Sequence, residues 1–164
     1  MPHRHPLLSA AQSFCTAFST SQPPSTLLSH FSTHPTPSVH EYGLPILAPF
    51  LGRTFTGRGR EGVRRYFELI AEHMAPLPPA EGGGGIEFDG WMVDTERAMV
   101  SVLGKARFVW KSTGDEWDEV FCYRLKMVEE EGGEWKVEEY RIWADTGAAY
   151  LASQGKLERP GRYE

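Results

Sequence analysis

From Ile86 onward the chain changes its period. Apolar and polar residues alternate through four segments, Ile86 to Val93, Ala98 to Trp110, Trp117 to Val128 and Trp135 to Trp143. Alternation of this kind puts successive side chains on opposite faces of an extended strand. The connections between the segments are short: Asp94-Thr95-Glu96-Arg97, Ser112-Thr113-Gly114-Asp115 and Glu131-Gly132-Gly133-Glu134. Strands joined by such turns are antiparallel neighbours, so the second half of the chain predicts a four-stranded meander.

The first half has a helical period. Leu7, Leu8, Ala11, Phe14, Cys15 and Phe18 follow the i, i+3, i+4, i+7 rule, and Pro23 and Pro24 stop that helix. A short second helix is expected from Ser25 to Phe31, with Pro24 or Ser25 near its start. His34-Pro35-Thr36-Pro37 breaks the chain, Val39 to Gly43 reads as a short strand, and a loop rich in proline and glycine runs from Leu44 to Gly59. Gly62, Val63, Tyr66, Phe67, Ile70 and Met74 mark the apolar stripe of a third helix, which Pro76, Pro78 and Pro79 end. Glu81 and the four glycines Gly82 to Gly85 form a linker expected to be flexible and dispensable, because consecutive glycines lose the most backbone entropy on ordering. Asp145 to Ser153 reads as a short terminal helix with Asp145 as its cap. Helices before strands argue an α+β fold, with helices on one face of a curved sheet.

A chain of 164 residues is expected to form one domain, 1–164, with an ordered core from about 7 to 153. Its net charge of −5 argues against nucleic acid as a partner, since Arg53 to Arg65 is the one dense basic stretch. No apolar run approaches the roughly 20 residues of a membrane span. The start, Met1 to Phe18, is interrupted by polar residues and is not expected to act as a secretory leader. Cys15 and Cys122 read as a reduced pair, which fits a cytoplasmic protein. Neither cysteine spacing nor the terminal His3 and His5 argues a metal site. Nucleophile-elbow, phosphate-loop, His-Glu-x-x-His and Cys-x-x-Cys motifs do not occur in the sequence, and no cofactor is expected.

Three strings carry a resemblance. They are Phe55 to Phe67 (Phe-Thr-Gly-Arg-Gly-Arg-Glu-Gly-Val-Arg-Arg-Tyr-Phe), Ala98 to Trp110, and Glu139-Tyr140-Arg141-Ile142-Trp143-Ala144-Asp145. In this element order they resemble a helix entry, a long bent strand and a closing strand of the nuclear transport factor 2-like superfamily, SnoaL-like branch. That superfamily includes polyketide cyclases, ketosteroid isomerases, scytalone dehydratases and limonene epoxide hydrolases. The resemblance runs from about Leu7 to Ser153. It implies a cone-shaped α+β barrel, a curved antiparallel meander wrapped around the amino-terminal helices. It also implies a pocket for a small hydrophobic ligand, polyketide-like or aromatic, and a homodimer formed through the outer face of the sheet. Cofactor-free proton transfer, as in an isomerase, dehydratase or cyclase, is the activity it implies. The dehydratases' tyrosine, aspartate and histidine network and the epoxide hydrolases' arginine–aspartate pairing are not recognisable here. A non-catalytic dimerising module that binds another protein is the alternative.

The candidate catalytic residues are His40, Glu41 and Asp145, with Glu139 beside Asp145 as a second choice. The resemblance places a carboxylate base near His40-Glu41-Tyr42, and a carboxylate at the mouth of an apolar cone has its pKa raised by desolvation. Alternation sends His40 and Tyr42 one way and Glu41 the other. At least one of His40 and Glu41 is expected to point into the cavity, with Tyr140 or Trp143 as its aromatic partner. Tyr42 or Tyr140 would hydrogen-bond a developing enolate oxygen. Trp117, Glu119, Phe121, Tyr123, Leu125 and Met127 share the more apolar, inward phase of their strand. The last strand leaves two phases open. One buries Glu139, Arg141 and Trp143, and the other turns Tyr140 and Ile142 inward; a bulge would switch between them. Trp91, Trp110, Tyr123, Tyr140 and Trp143 are candidates to line a ligand pocket, or else to form core or dimer surface.

Overall fold

The structure is a computed structural model that describes residues 3–78 and 85–157. Gly82, Gly83 and Gly84 of the expected linker lie outside the described residues. In chain order the elements are α1 (Arg4–Ser19), α2 (Pro24–Leu28), β1 (Ser38–Glu41), β2 (Thr54–Thr56), α3 (Val63–His73), β3 (Met74–Pro76), β4 (Ile86–Asp94), β5 (Met99–Trp110), β6 (Glu116–Glu129), β7 (Trp135–Trp143) and α4 (Thr146–Ser153). Pro24 occupies the first turn of α2, where its missing N–H costs nothing. Asp145 caps α4 by accepting the Ala148 N–H at 3.0 Å. Among the described residues no helix is long and apolar enough to cross a membrane.

The long strands pair as a meander, β4 with β5, β5 with β6 and β6 with β7, all antiparallel. The antiparallel meander is as expected, and the sheet as a whole is mixed because β1 adds to it as a parallel neighbour. β1 lies parallel to β7, with Val39 opposite Tyr140 and Glu41 opposite Ile142. A parallel neighbour is available because β2, α3 and β3 to β6 lie between β1 and β7 in the chain. β2 adds outside β1, and β3 pairs with the end of β5 beyond β4.

Two irregularities shape the curve. Between Lys126 and Met127 the β6–β7 register slips so that Lys126 faces Glu139 and Met127 faces Val137, leaving Glu138 as the extra residue. The second slip, between Asp89 and Met92 on β4, sits at Gly90, whose φ of +67° favours glycine. On β5, Gly104 lies beneath the ring of Phe121, and a Cβ there would stand 2.1 Å from the ring edge. The absent side chain lets an aromatic ring lie flat across the strand on the concave face.

α1 and α3 fill the concave side. Phe14 of α1 meets Phe31 edge-on at 5.4 Å and Tyr140 at 5.1 Å, and Phe67 of α3 stacks on Tyr140 at 6.3 Å. Edge-on and offset rings of this kind hold a core beyond their area burial. Cys15 sits in that core as a free thiol, and Cys122 is free on the outer strand surface. Towards α4 the filling is incomplete, and a cavity opens there.

Candidate functional site

β1 is too short to show a period of its own, but its burial alternates. Val39 and Glu41 face the interior, and Ser38 and His40 face away. Glu41 is 7% exposed, an unusual depth for an acidic side chain. Its Oε2 accepts a 2.6 Å hydrogen bond from the Tyr66 hydroxyl. Tyr66 reaches it because the apolar stripe of α3 turns its ring against Phe50, Phe55 and Phe67, so only the hydroxyl is left to satisfy. Oε1 of Glu41 makes no hydrogen bond among the described residues.

A second carboxylate arrives from β6. The inward phase Trp117, Glu119, Phe121, Tyr123, Leu125 and Met127 is buried throughout, as the alternation predicts. Glu119 Oε2 accepts the Trp117 indole N–H at 2.7 Å, and Oε1 accepts the Asp145 backbone N–H at 3.0 Å. Glu41 and Glu119 line one cavity. Its walls include Phe18, Phe50, Tyr66, Phe108, Phe121 and Tyr123, with Ile142 and Ala149. Asp145 and Thr146 stand at its edge on the head of α4.

Burial dominates the electrostatics. It raises Glu41 from an ordinary 4.5 to about 8, opposed in part by the Tyr66 hydrogen bond and reinforced by the charge of Glu119. Glu119 rises to about 7 by burial, opposed by the donors from Trp117 and Asp145 and reinforced by the Asp145 charge. Two donors against one make Glu119 the carboxylate that ionises first, while Glu41 keeps its proton longer. Interacting carboxylates of this kind titrate as a pair. Burial also drives the Tyr66, Tyr123 and Tyr140 hydroxyls well above the usual phenol range. The Tyr140 hydroxyl is fully buried and has no hydrogen-bond partner among the described residues.

Of the residues singled out from sequence, Glu41, Glu119, Tyr123 and Asp145 come together at the cavity. Asp145 spends its carboxylate on the α4 cap. Tyr140 lies behind the wall, its ring edge-on to Tyr123 at 4.9 Å. The bulge at Glu138 explains the last strand: Val137, Tyr140 and Ile142 are buried, while Glu139, Arg141 and Trp143 turn to the outer face. There Arg141 bonds Ser38 Oγ at 3.2 Å and pairs with Glu139 at 3.5 Å. His40 shares that face, its Nδ1 2.9 Å from Thr54 Oγ1. Partial burial and the Arg141 charge lower its pKa. Tyr42 stacks on Trp143 at 4.8 Å, also outside. Trp110 packs on His73 and behind Phe50, and Trp91 packs on Phe88; neither tryptophan lines the cavity. The pairing of Tyr66 with Glu41 was not foreseen. Its one signal in sequence is a tyrosine on an otherwise hydrocarbon stripe. Among the described residues no three His, Cys, Asp or Glu side chains gather in a metal-holding group.

No family model matches the chain, and no curated protein matches it. Solved structures do. A ketosteroid isomerase-like protein from Erwinia carotovora atroseptica is 14% identical, with a TM-score of 0.63 over 85% of this chain and 93% of that one. A nuclear transport factor 2-like protein from Burkholderia xenovorans is 17% identical, with a TM-score of 0.62 over 91% and 96%. The BvnE pinacolase from Penicillium brevicompactum is 14% identical, with a TM-score of 0.61 over 93% and 95%. The fold is therefore that of the nuclear transport factor 2-like and ketosteroid isomerase-like proteins.

The two raised carboxylates set a sign for stability. Each contributes stability in its neutral form, fully present below its unfolded value near 4.5 and lost as pH rises through about 7 for Glu119 and about 8 for Glu41. The melting temperature should therefore fall as pH rises from about 4.5 to about 8 and level off above that. Glu41→Gln keeps an acceptor for Tyr66 and should flatten that fall. At pH 9 it should melt several degrees above the parent, since about 1 kcal/mol moves a chain of this size by roughly 2–4 °C. Calorimetry across that range checks this; parallel curves for variant and parent would contradict the burial of a titrating Glu41.

Proposed function

We propose that this nuclear transport factor 2-like chain is a proton-transfer enzyme, an isomerase, dehydratase or cyclase, acting without a cofactor on a small hydrophobic, polyketide-like or aromatic compound. The observation that carries this reading is the pair of buried carboxylates, Glu41 and Glu119, facing one apolar cavity in different hydrogen-bond environments. Proton transfer to and from carbon or oxygen needs an acid and a base that are both present near neutral pH. Two carboxylates with separated environments supply them. Glu119, whose two oxygens each accept a hydrogen bond, is the better-stabilised carboxylate and takes a proton from the substrate, while Glu41, with one hydrogen bond, holds its proton. The Oε1 of Glu41 delivers that proton to the developing oxygen anion, and Tyr66 fixes the carboxyl group by bonding Oε2. The aromatic wall excludes water and takes up the flat, apolar body of the substrate. Isomerase-type activity also fits the company of ketosteroid isomerase-like structures.

Exchange of α-protons for deuterium tests this without knowing the natural substrate. Cyclic enones and aromatic ketones incubated in heavy water should exchange faster with the protein, with a maximum between pH 7 and 8. Glu41→Gln and Glu119→Gln should each slow exchange by about 100-fold or more. Full exchange by both variants, or none by the parent across the panel, would contradict the assignment.

The outer face favours a second reading, a homodimer. Tyr42, Leu103, Val120 and Trp143 are all exposed there and form an apolar and aromatic surface on neighbouring strands. In the rival account the chain is a dimerising module without chemistry. Sedimentation at tens of micromolar should show a dimer, the range where an interface of modest size holds. A monomer at that concentration would remove the homodimer from the proposal.

A further inference from the structure

Among the described residues the cavity wall carries three acidic side chains, Glu41, Glu119 and Asp145, and no lysine, arginine or histidine. Every other titratable group that faces it is acidic or neutral: Tyr66 from α3 and Tyr123 from β6 on the wall, with Tyr140 of β7 and Cys15 of α1 behind them. The nearby cations point elsewhere. Arg141 bonds Ser38 and Glu139 on the outer face, and Arg124 lies over Trp143 at 5.6 Å on the same side.

A buried carboxylate without a cation is costly to ionise, and this cavity holds two. One oxygen of Glu41, a side chain more than nine-tenths buried, makes no hydrogen bond among the described residues. The same cavity is lined by the rings of Phe18, Phe50, Tyr66, Phe108, Phe121 and Tyr123. Ring faces attract a cation through their quadrupoles and repel an anion, and the attraction grows where water is excluded. Acidic and aromatic groups thus select the same charge.

We propose that the cavity takes a ligand bearing an organic ammonium group, a tertiary or quaternary amine on an apolar body, seated by Glu41 and Glu119 within the aromatic wall. The ammonium supplies the charge that the cavity lacks, so its entry ionises the carboxylates and expels their protons. Once ionised, the same carboxylates repel carboxylate and phosphate ligands. This inference rests on reading the cavity as the ligand site, and not on the reaction assigned to it.

Choline, its neutral isostere 3,3-dimethylbutan-1-ol and the anion 3,3-dimethylbutanoate test the idea. Each is titrated into the full chain and followed by NMR shifts of the cavity residues. At about pH 8.5 choline should bind at least about tenfold tighter than the alcohol, and the anion should not bind. At about pH 6 the preference should shrink as the carboxylates take up protons. Choline should also release protons into weakly buffered solution at pH 7.5, which an indicator dye reads. Glu41→Gln and Glu119→Gln should each lose the preference for choline while keeping the dispersed spectrum of a folded chain. Equal binding of choline and the alcohol, tighter binding of the anion, or no shift at the cavity with any probe would overturn the proposal. The two claims on this site separate cleanly. Ketone exchange without amine selectivity removes the ammonium ligand alone, and choline binding without exchange removes the proton-transfer reading alone.

Discussion

A carboxyl group in an apolar interior has to stay neutral, gain a cation or collect hydrogen bonds, because its bare charge is too costly there. Among the described residues Glu41 has one hydrogen bond, from Tyr66, and no cation. That single constraint organises the rest of the site. It keeps the proton on Glu41 near neutral pH, orients the free oxygen by fixing the other, and ties the third helix to the first strand. Glu119 meets the same constraint by a different route, with an indole and a backbone amide as donors. The backbone amide belongs to Asp145, whose side chain caps the last helix. The second carboxylate and the start of α4 are thereby held in one hydrogen-bonded unit.

The sheet separates two chemistries. Its concave side is acidic and aromatic, and its outer side gathers His40, Tyr42, Arg124, Arg141 and Trp143. One residue makes that division. The extra Glu138 in the β6–β7 ladder reverses the phase of the last strand, and without it Glu139, Arg141 and Trp143 would face the core that Tyr140 and Ile142 now fill. Arg141 instead bonds Ser38 and Glu139 on the outer face.

Much of this architecture was legible in the sequence. Period two in the second half located four strands almost to their ends, and Asp145 announced the last helix, because these features are local. β2 and β3 have three residues each, too few to show any period. The parallel pairing of β1 with β7 joins segments about a hundred residues apart and leaves no local trace. At the site, the inward phase of β6 disclosed Glu119 and Tyr123, and the alternation in β1 set Glu41 against His40 and Tyr42. The bulge stayed open because both phases of the last strand are partly apolar. In sequence Tyr66 is one more member of an apolar stripe, and only the packing of α3 against β1 shows its hydroxyl meeting a carboxylate.

The account stands on Glu41 holding its proton in the folded chain. Carbon-13 labelling of the glutamate side chains, with the Glu41 carboxyl signal assigned by its absence in Glu41→Gln, allows its titration to be followed directly by NMR. The account requires a midpoint far above the ordinary 4.5, at about 8, and a second carboxyl, Glu119, titrating earlier at about 7. A Glu41 signal that titrates near 4.5 would mean a solvated or cation-paired carboxylate, and the acid–base pair at the centre of this reading would be lost.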